Sequence, residues 1–137
     1  ILAVSLSHSP LDQRQQRSIV DACGRHLLTA HGLRSLSPED GDYIGHYAGD
    51  QYKRDAAYHQ GTIWSWLIGP FVEAHLRVYN DRTVSRSYLT SLIQHLQAHG
   101  VGSISEIFDG DPPFTPRGCT AQAWGVAELL RAWRLTE

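Results

Sequence analysis

The stretch Gly102-Ser103-Ile104-Ser105-Glu106-Ile107-Phe108-Asp109-Gly110-Asp111-Pro112-Pro113 runs directly into Phe114-Thr115-Pro116-Arg117-Gly118-Cys119-Thr120-Ala121-Gln122-Ala123-Trp124. Read as extended chain, its first part alternates faces, so Glu106 sides with Ile104 and Phe108 while Ser103, Ser105 and Ile107 point the other way. A carboxylate among apolar neighbours is costly unless it is paired, hydrogen-bonded or at the rim of a pocket. Against this stands the plain alternative of a solvated loop acid, since charged side chains are mostly exposed. Asp109-Gly110-Asp111-Pro112-Pro113 must turn, because proline has no amide to offer and glycine tolerates unusual backbone angles. Thr120 is placed to cap a helix over about residues 121–134, with Ala123, Val126, Ala127 and Leu130 toward the core.

Upstream, the apolar spacing predicts three more helices. Asp12 and Gln15 form a capping-box pattern ahead of a stripe of Ile19, Val20, Cys23 and Leu27, giving a helix over about residues 13–28. Ile63, Leu67, Phe71, Ala74 and Val78 recur over residues 62–80, where Gly69-Pro70 either kinks one helix or opens a second after a short turn. Tyr88, Leu92 and Leu96, flanked by Leu89 and Ile93, line a helix over about residues 84–98 that Gly100 stops. Residues 29–61 lack this periodicity but carry Tyr43, Tyr47, Tyr52 and Tyr58, which predicts an ordered loop lying over something and not a disordered one. Ile1 to Leu6 reads as a short strand or extended lead-in. The fold class expected is therefore all-α, with four main helices and long ordered loops, in one domain spanning residues 1–137.

Composition narrows the function. A net charge of −2 offers no basic footprint for nucleic acid, and no apolar run reaches the ~20 residues of a membrane span. Cys23 and Cys119 show no C-x-x-C spacing, so a reducing compartment is the simpler setting. The chain holds no methionine and opens on Ile1-Leu2-Ala3-Val4 without a signal-peptide pattern, which reads as the middle of a longer protein. Eight histidines are scattered, and only His95 and His99 share helical spacing, so no metal and no cofactor is expected. Neither a phosphate-cradling glycine loop nor a Gly-x-Ser-x-Gly turn is present.

A second cluster, Arg54-Asp55-Ala56-Ala57-Tyr58-His59-Gln60-Gly61-Thr62-Ile63-Trp64-Ser65-Trp66, joins flat aromatic faces to hydrogen-bonding side chains. That combination suits a sugar, whose ring faces stack while its hydroxyls take directional bonds. On a helix Trp64 and Trp66 would stand about 200° apart, so one is expected in the site and the other in the core.

The run Tyr58 to Pro70, the run Gly102 to Gly110, Gly32-Leu33-Arg34-Ser35-Leu36-Ser37-Pro38, Arg117-Gly118-Cys119 and Gln122-Ala123-Trp124 together resemble the C-terminal part of glycogen debranching enzymes of the amylo-α-1,6-glucosidase type, over nearly the whole chain. One departure is Ser65, where the pattern has proline. The resemblance implies an α/α toroid, the (α/α)6 six-hairpin barrel, of which this chain supplies a C-terminal portion. It implies a cytoplasmic inverting glycosidase that removes α-1,6-linked glucose from a branched α-glucan such as glycogen or limit dextrin. Glu106 matches the general base. The general acid is expected upstream of Ile1, which leaves this piece inactive alone. Asp55, Tyr58, His59, Gln60, Trp64, Trp66 and, more weakly, Trp124 match the pocket wall. Another six-hairpin enzyme, glucoamylase- or trehalase-like, and a non-catalytic carbohydrate-binding module are the competing readings. Surfaces left open by the absent helices would favour self-association.

To act as a base, Glu106 needs donors that hold its charge against Ile104 and Phe108. The hydroxyls of Ser103 or Ser105, backbone amides and Arg117 are all in reach by sequence.

Overall fold

In the computed structural model, which describes residues 1–137, helices pack around a small antiparallel sheet. The helices are α1 (Leu2–Ser5), α2 (Gln13–His26), α3 (Gln51–Ala57), α4 (Ile68–Tyr79), α5 (Arg82–Ser87), α6 (Thr90–Ala98) and α7 (Ala123–Leu135). The strands are β1 (Leu28–Thr29), β2 (Gly32–Arg34), β3 (Ile63–Trp64), β4 (Ile107–Phe108) and β5 (Pro116–Arg117), paired in that order. No helix is long and apolar enough to cross a membrane.

The capping box that opens α2 is present in full: Asp12 accepts from the Gln15 amide at 2.8 Å, and the Gln15 side chain accepts from the Asp12 amide at 3.0 Å. Both orphan amides of that first turn are thereby satisfied. α4 is the central helix and packs against α7, α1 and α2. It buries Ile68, Phe71, Val72 and Ala74 almost completely, and enclosing Phe71 alone contributes about 1.5–3 kcal/mol. Pro70 lies in the first turn, where the missing amide costs no helical bond.

Several expectations are corrected. The fold is largely helical but not all-α, because five strands of two or three residues each form a sheet through the middle of the chain. Strands so short carry no readable alternation, and their pairing comes from residues far apart, as in Trp64 opposite Ile107. Residues 2–5 form a helical turn that seats Val4 in the core, where an extended segment would have had no strand to pair with. The helix expected over 84–98 is two, α5 and α6, broken at Tyr88 and Leu89, with the Asp81 side chain capping the first by accepting from Val84. α7 starts from Gln122 and not from Thr120, and it buries Gly125, Leu129 and Ala132 while Leu130 stays exposed. The face against α4 is thus one step round from the predicted stripe.

The segment 29–61 is ordered as expected but is not one loop: it holds β2 and the short helix α3, which Asp50 caps, and its middle lies over the turn after β4. The Gly110 amide donates to Gly45 at 2.6 Å, and the Tyr43 hydroxyl donates to Asp111 at 2.9 Å. Gly110 could not be replaced there, because a Cβ would fall 2.4 Å from the Gly61 carbonyl oxygen.

Candidate active site

Glu106 immediately precedes β4, in the interior of the sheet. Burial along this segment does not alternate: Ile104, Ser105, Ile107 and Phe108 are all enclosed, and only Glu106 is half-buried. β4 lies between β3 and β5 with structure on both faces, so the period of two is lost.

Both oxygens of the carboxylate are held. The Tyr58 hydroxyl donates to Oε1, and the Cys119 backbone amide donates to Oε2 at 2.9 Å. The Glu106 amide donates in turn to the Cys119 carbonyl at 2.9 Å, so backbone and side chain are fixed by the same residue. Gly118 makes room for this. Its φ of +67° is a left-handed conformation, and a Cβ there would stand 2.5 Å from Glu106 Oε2. Of the donors the sequence leaves open, a backbone amide is therefore used, joined by a tyrosine expected only on the wall.

The other candidate donors have different work. Ser105 is buried, and its amide donates to His95 Nε2 at 3.3 Å with its hydroxyl 3.2 Å from the same nitrogen. Arg117 forks onto Asp109, with Nε and Nη2 donating at 3.0–3.2 Å, while the Tyr47 amide donates to Asp109 Oδ1 at 2.9 Å. Asp109 is 3 % exposed and Arg117 37 %, so this pair locks the turn between β4 and β5 and with it the position of Cys119.

Ser65 has a specific role. Its buried hydroxyl donates toward the carbonyls of Ser105 at 3.0 Å and Glu106 at 3.3 Å. Through these bonds the backbone of the candidate base is tied to the segment between two tryptophans.

Tyr58, Trp64 and His59 form one aromatic cluster. The Trp64 indole donates to the Tyr58 carbonyl at 3.2 Å, and the Thr62 hydroxyl donates to the same oxygen at 2.6 Å. His59 stacks on Trp64 with ring centroids 5.0 Å apart, and Trp64 meets Tyr58 edge-on at 4.9 Å. Tyr47, which the loop's aromatic density signalled without assigning, approaches Tyr58 at 5.6 Å. Burial, then the hydrogen bond to Glu106, push the Tyr58 phenol well above its ordinary value, so it keeps its proton and remains a donor.

The remaining predicted residues divide. Trp66 stacks on Trp124 at 3.9 Å, and neither is buried in the core. Trp64 is extended and Trp66 belongs to a 3-10 turn, so the helical argument for opposite faces does not apply, and the expected core tryptophan is absent. Gln60 contributes its backbone, whose carbonyl accepts from Ile44. Asp55 is exposed on α3 and its carboxylate engages no partner. No group of three His, Cys, Asp or Glu side chains is placed to hold a metal ion.

A held carboxylate beside an aromatic wall is the kind of site found in proteins that handle carbohydrate. The chain belongs to the amylo-alpha-1,6-glucosidase family, whose model matches residues 1–131 and so covers every residue of this site. Membership puts the chain among the glycogen-debranching glycosidases, with branched glucan as the substrate class.

Proposed function

We propose that Glu106 is the general base of an inverting α-1,6-glucosidase that releases single glucose units from branch points. The observation that carries this reading is the two-point hold on its carboxylate by Tyr58 and the Cys119 amide. A carboxylate has about four lone-pair sites, so two remain to accept a proton from water. In inversion that water attacks the anomeric carbon from the face opposite the leaving oxygen, while an acid protonates the leaving oxygen. The two carboxyls then stand roughly 6.5–9.5 Å apart.

The acid comes from a part of the enzyme outside these residues. Asp109 is forked by Arg117 and Asp111 accepts from Tyr43, so neither is free to serve as that acid; Asp55, which is free, stands exposed on α3. Tyr58, His59 and Trp64 wall the terminal glucose, Trp66 and Trp124 meet the glucan beyond it, and Asp55 and Gln60 border the pocket. The helices form part of an α/α toroid. Self-association of the isolated chain would use the apolar groove of Ile93, Leu96, Val126, Leu129, Leu130 and Trp133 between α6 and α7. The cytoplasm is the corresponding location.

The test is stereochemical. Full-length protein is given a branched limit dextrin, and the glucose anomer is followed by proton NMR before mutarotation. β-Glucose appearing first supports inversion. α-Glucose appearing first removes Glu106 from the role of base.

A further inference from the structure

Ser105 and Glu106 each have a backbone amide to satisfy, and the two are met differently. The Glu106 amide donates to a backbone carbonyl, that of Cys119. The Ser105 amide donates to a side chain, Nε2 of His95 on α6, at 3.3 Å, and the Ser105 hydroxyl lies 3.2 Å from the same nitrogen. Ser105 is 1 % exposed and His95 6 %, so this amide has no solvent to fall back on if the ring is removed.

An amide N–H can only donate, so Nε2 of His95 carries a lone pair and the proton of the neutral ring sits on Nδ1. Burial first, and then His99, hold His95 below the ordinary histidine value, which keeps the ring neutral at pH 7. Its neighbours fix its orientation. The ring meets Phe108 of β4 edge-on at 5.0 Å, stacks on His99 at 5.6 Å and stands edge-on to His31 at 6.3 Å. His31 itself stacks on Phe108 at 4.6 Å. The acceptor offered to Ser105 is therefore set in a packed aromatic surround and has little freedom to move.

Tyr58 and the Cys119 amide fix only the end of the Glu106 side chain. Its backbone is fixed separately. The Ser65 hydroxyl donates toward the Ser105 and Glu106 carbonyls at 3.0 and 3.3 Å, and His95 takes the Ser105 amide. We infer that His95 is a positioning residue for the base: by accepting from the Ser105 amide it sets where the Glu106 backbone, and so its carboxylate, stands relative to the attacking water. A displacement of about 1 Å at a reacting group can cost about a hundredfold in rate, so an anchor one residue away is felt in turnover. This rests on the reading of Glu106 as the base.

The test uses variants of the full-length protein, with kcat measured on limit dextrin, dextrin Kd by calorimetry and stability in urea. His95→Leu keeps bulk but removes the acceptor, so kcat should fall about 10- to 100-fold while Kd stays within about twofold. His95→Gln places Oε1 near where Nε2 stood and should restore kcat to within about threefold of wild type. His95→Asn is too short to reach and should behave as His95→Leu, which it replaces if that variant does not fold. His75→Leu is the control, because His75 is also buried and lies 2.7 Å from a serine hydroxyl, that of Ser85 on α5. It should lose stability and keep kcat. Wild-type kcat in His95→Leu, a loss in His95→Gln as large as in His95→Leu, or an equal loss in His75→Leu overturns the inference. Glu106→Gln separates it from the reading beneath it: normal turnover there means the base assignment itself fails. If Glu106→Gln is inactive and His95→Leu is not impaired, only the positioning role fails. Added to Glu106→Gln, His95→Leu should cost nothing further, because its effect runs through that carboxylate, and a full further loss also overturns the inference.

Discussion

Gly118→Ala perturbs the candidate base without replacing it. At φ of +67° an alanine costs about 1–2 kcal/mol for its left-handed backbone. The new methyl would also stand 2.5 Å from Glu106 Oε2 and 3.1 Å from Ile107 Cγ1. Ile107 is fully buried in the sheet, so the carboxylate is the group that yields. Its displacement breaks the bond from the Cys119 amide, and a hydrogen bond to a charged group contributes about 1.5–3 kcal/mol. If that bond positions the base, kcat falls roughly 10- to 150-fold. Gly102→Ala supplies the control, because φ there is +86° and its Cβ would meet nothing within 4 Å. In urea both variants of the full-length enzyme should show the backbone cost of about 1–2 kcal/mol, with a further loss in Gly118→Ala for the broken bond, yet only Gly118→Ala should lose turnover on limit dextrin. Wild-type kcat in Gly118→Ala, or an equal loss in Gly102→Ala, would refute the reasoning.

Three further outcomes follow from the same geometry. Tyr58→Phe keeps the ring against Trp64 but removes the donor on Oε1, so kcat should fall about tenfold with little change in dextrin KM; steady-state kinetics decide it. Arg117→Met leaves Asp109, 3 % exposed, without its fork and should cost about 3 kcal/mol in urea-induced unfolding. His31, His75 and His95 are held below their ordinary value of 6.5, by burial first and, for His31 and His95, by a neighbouring histidine. The unfolded chain therefore binds more protons than the folded one just below 6.5, and stability declines as pH falls through that range. Thermal melts near pH 7.5 and about pH 5.5 should show the loss, and His95→Gln should reduce it.

The helices were legible wherever an apolar stripe met a capping signal, as at Asp12–Gln15 for α2. They were misjudged where tertiary packing decided the register, as in α7, whose Gly125 faces Ser65 and turns Leu130 to the outside. The sheet was hidden because each strand is shorter than one full alternation. Glu106 and its aromatic neighbours could be picked out, since a lone acid in an apolar run and a His-Gln-Gly turn among aromatics are local signals. Its donors could not, because a backbone amide has no sequence signature and the partner tyrosine lies 48 residues away. Asp109–Arg117 is similar: two ordinary charges become a buried lock only once the double proline folds the chain back between them.

The most direct measurement is glucose release from limit dextrin by full-length Glu106→Gln, with dextrin binding recorded on the same preparation. The amide keeps the shape of the side chain but cannot take a proton from water. Turnover should fall about 100- to 10,000-fold while the dextrin Kd stays near wild type. Turnover within a few-fold of wild type would contradict the assignment of Glu106 as the base.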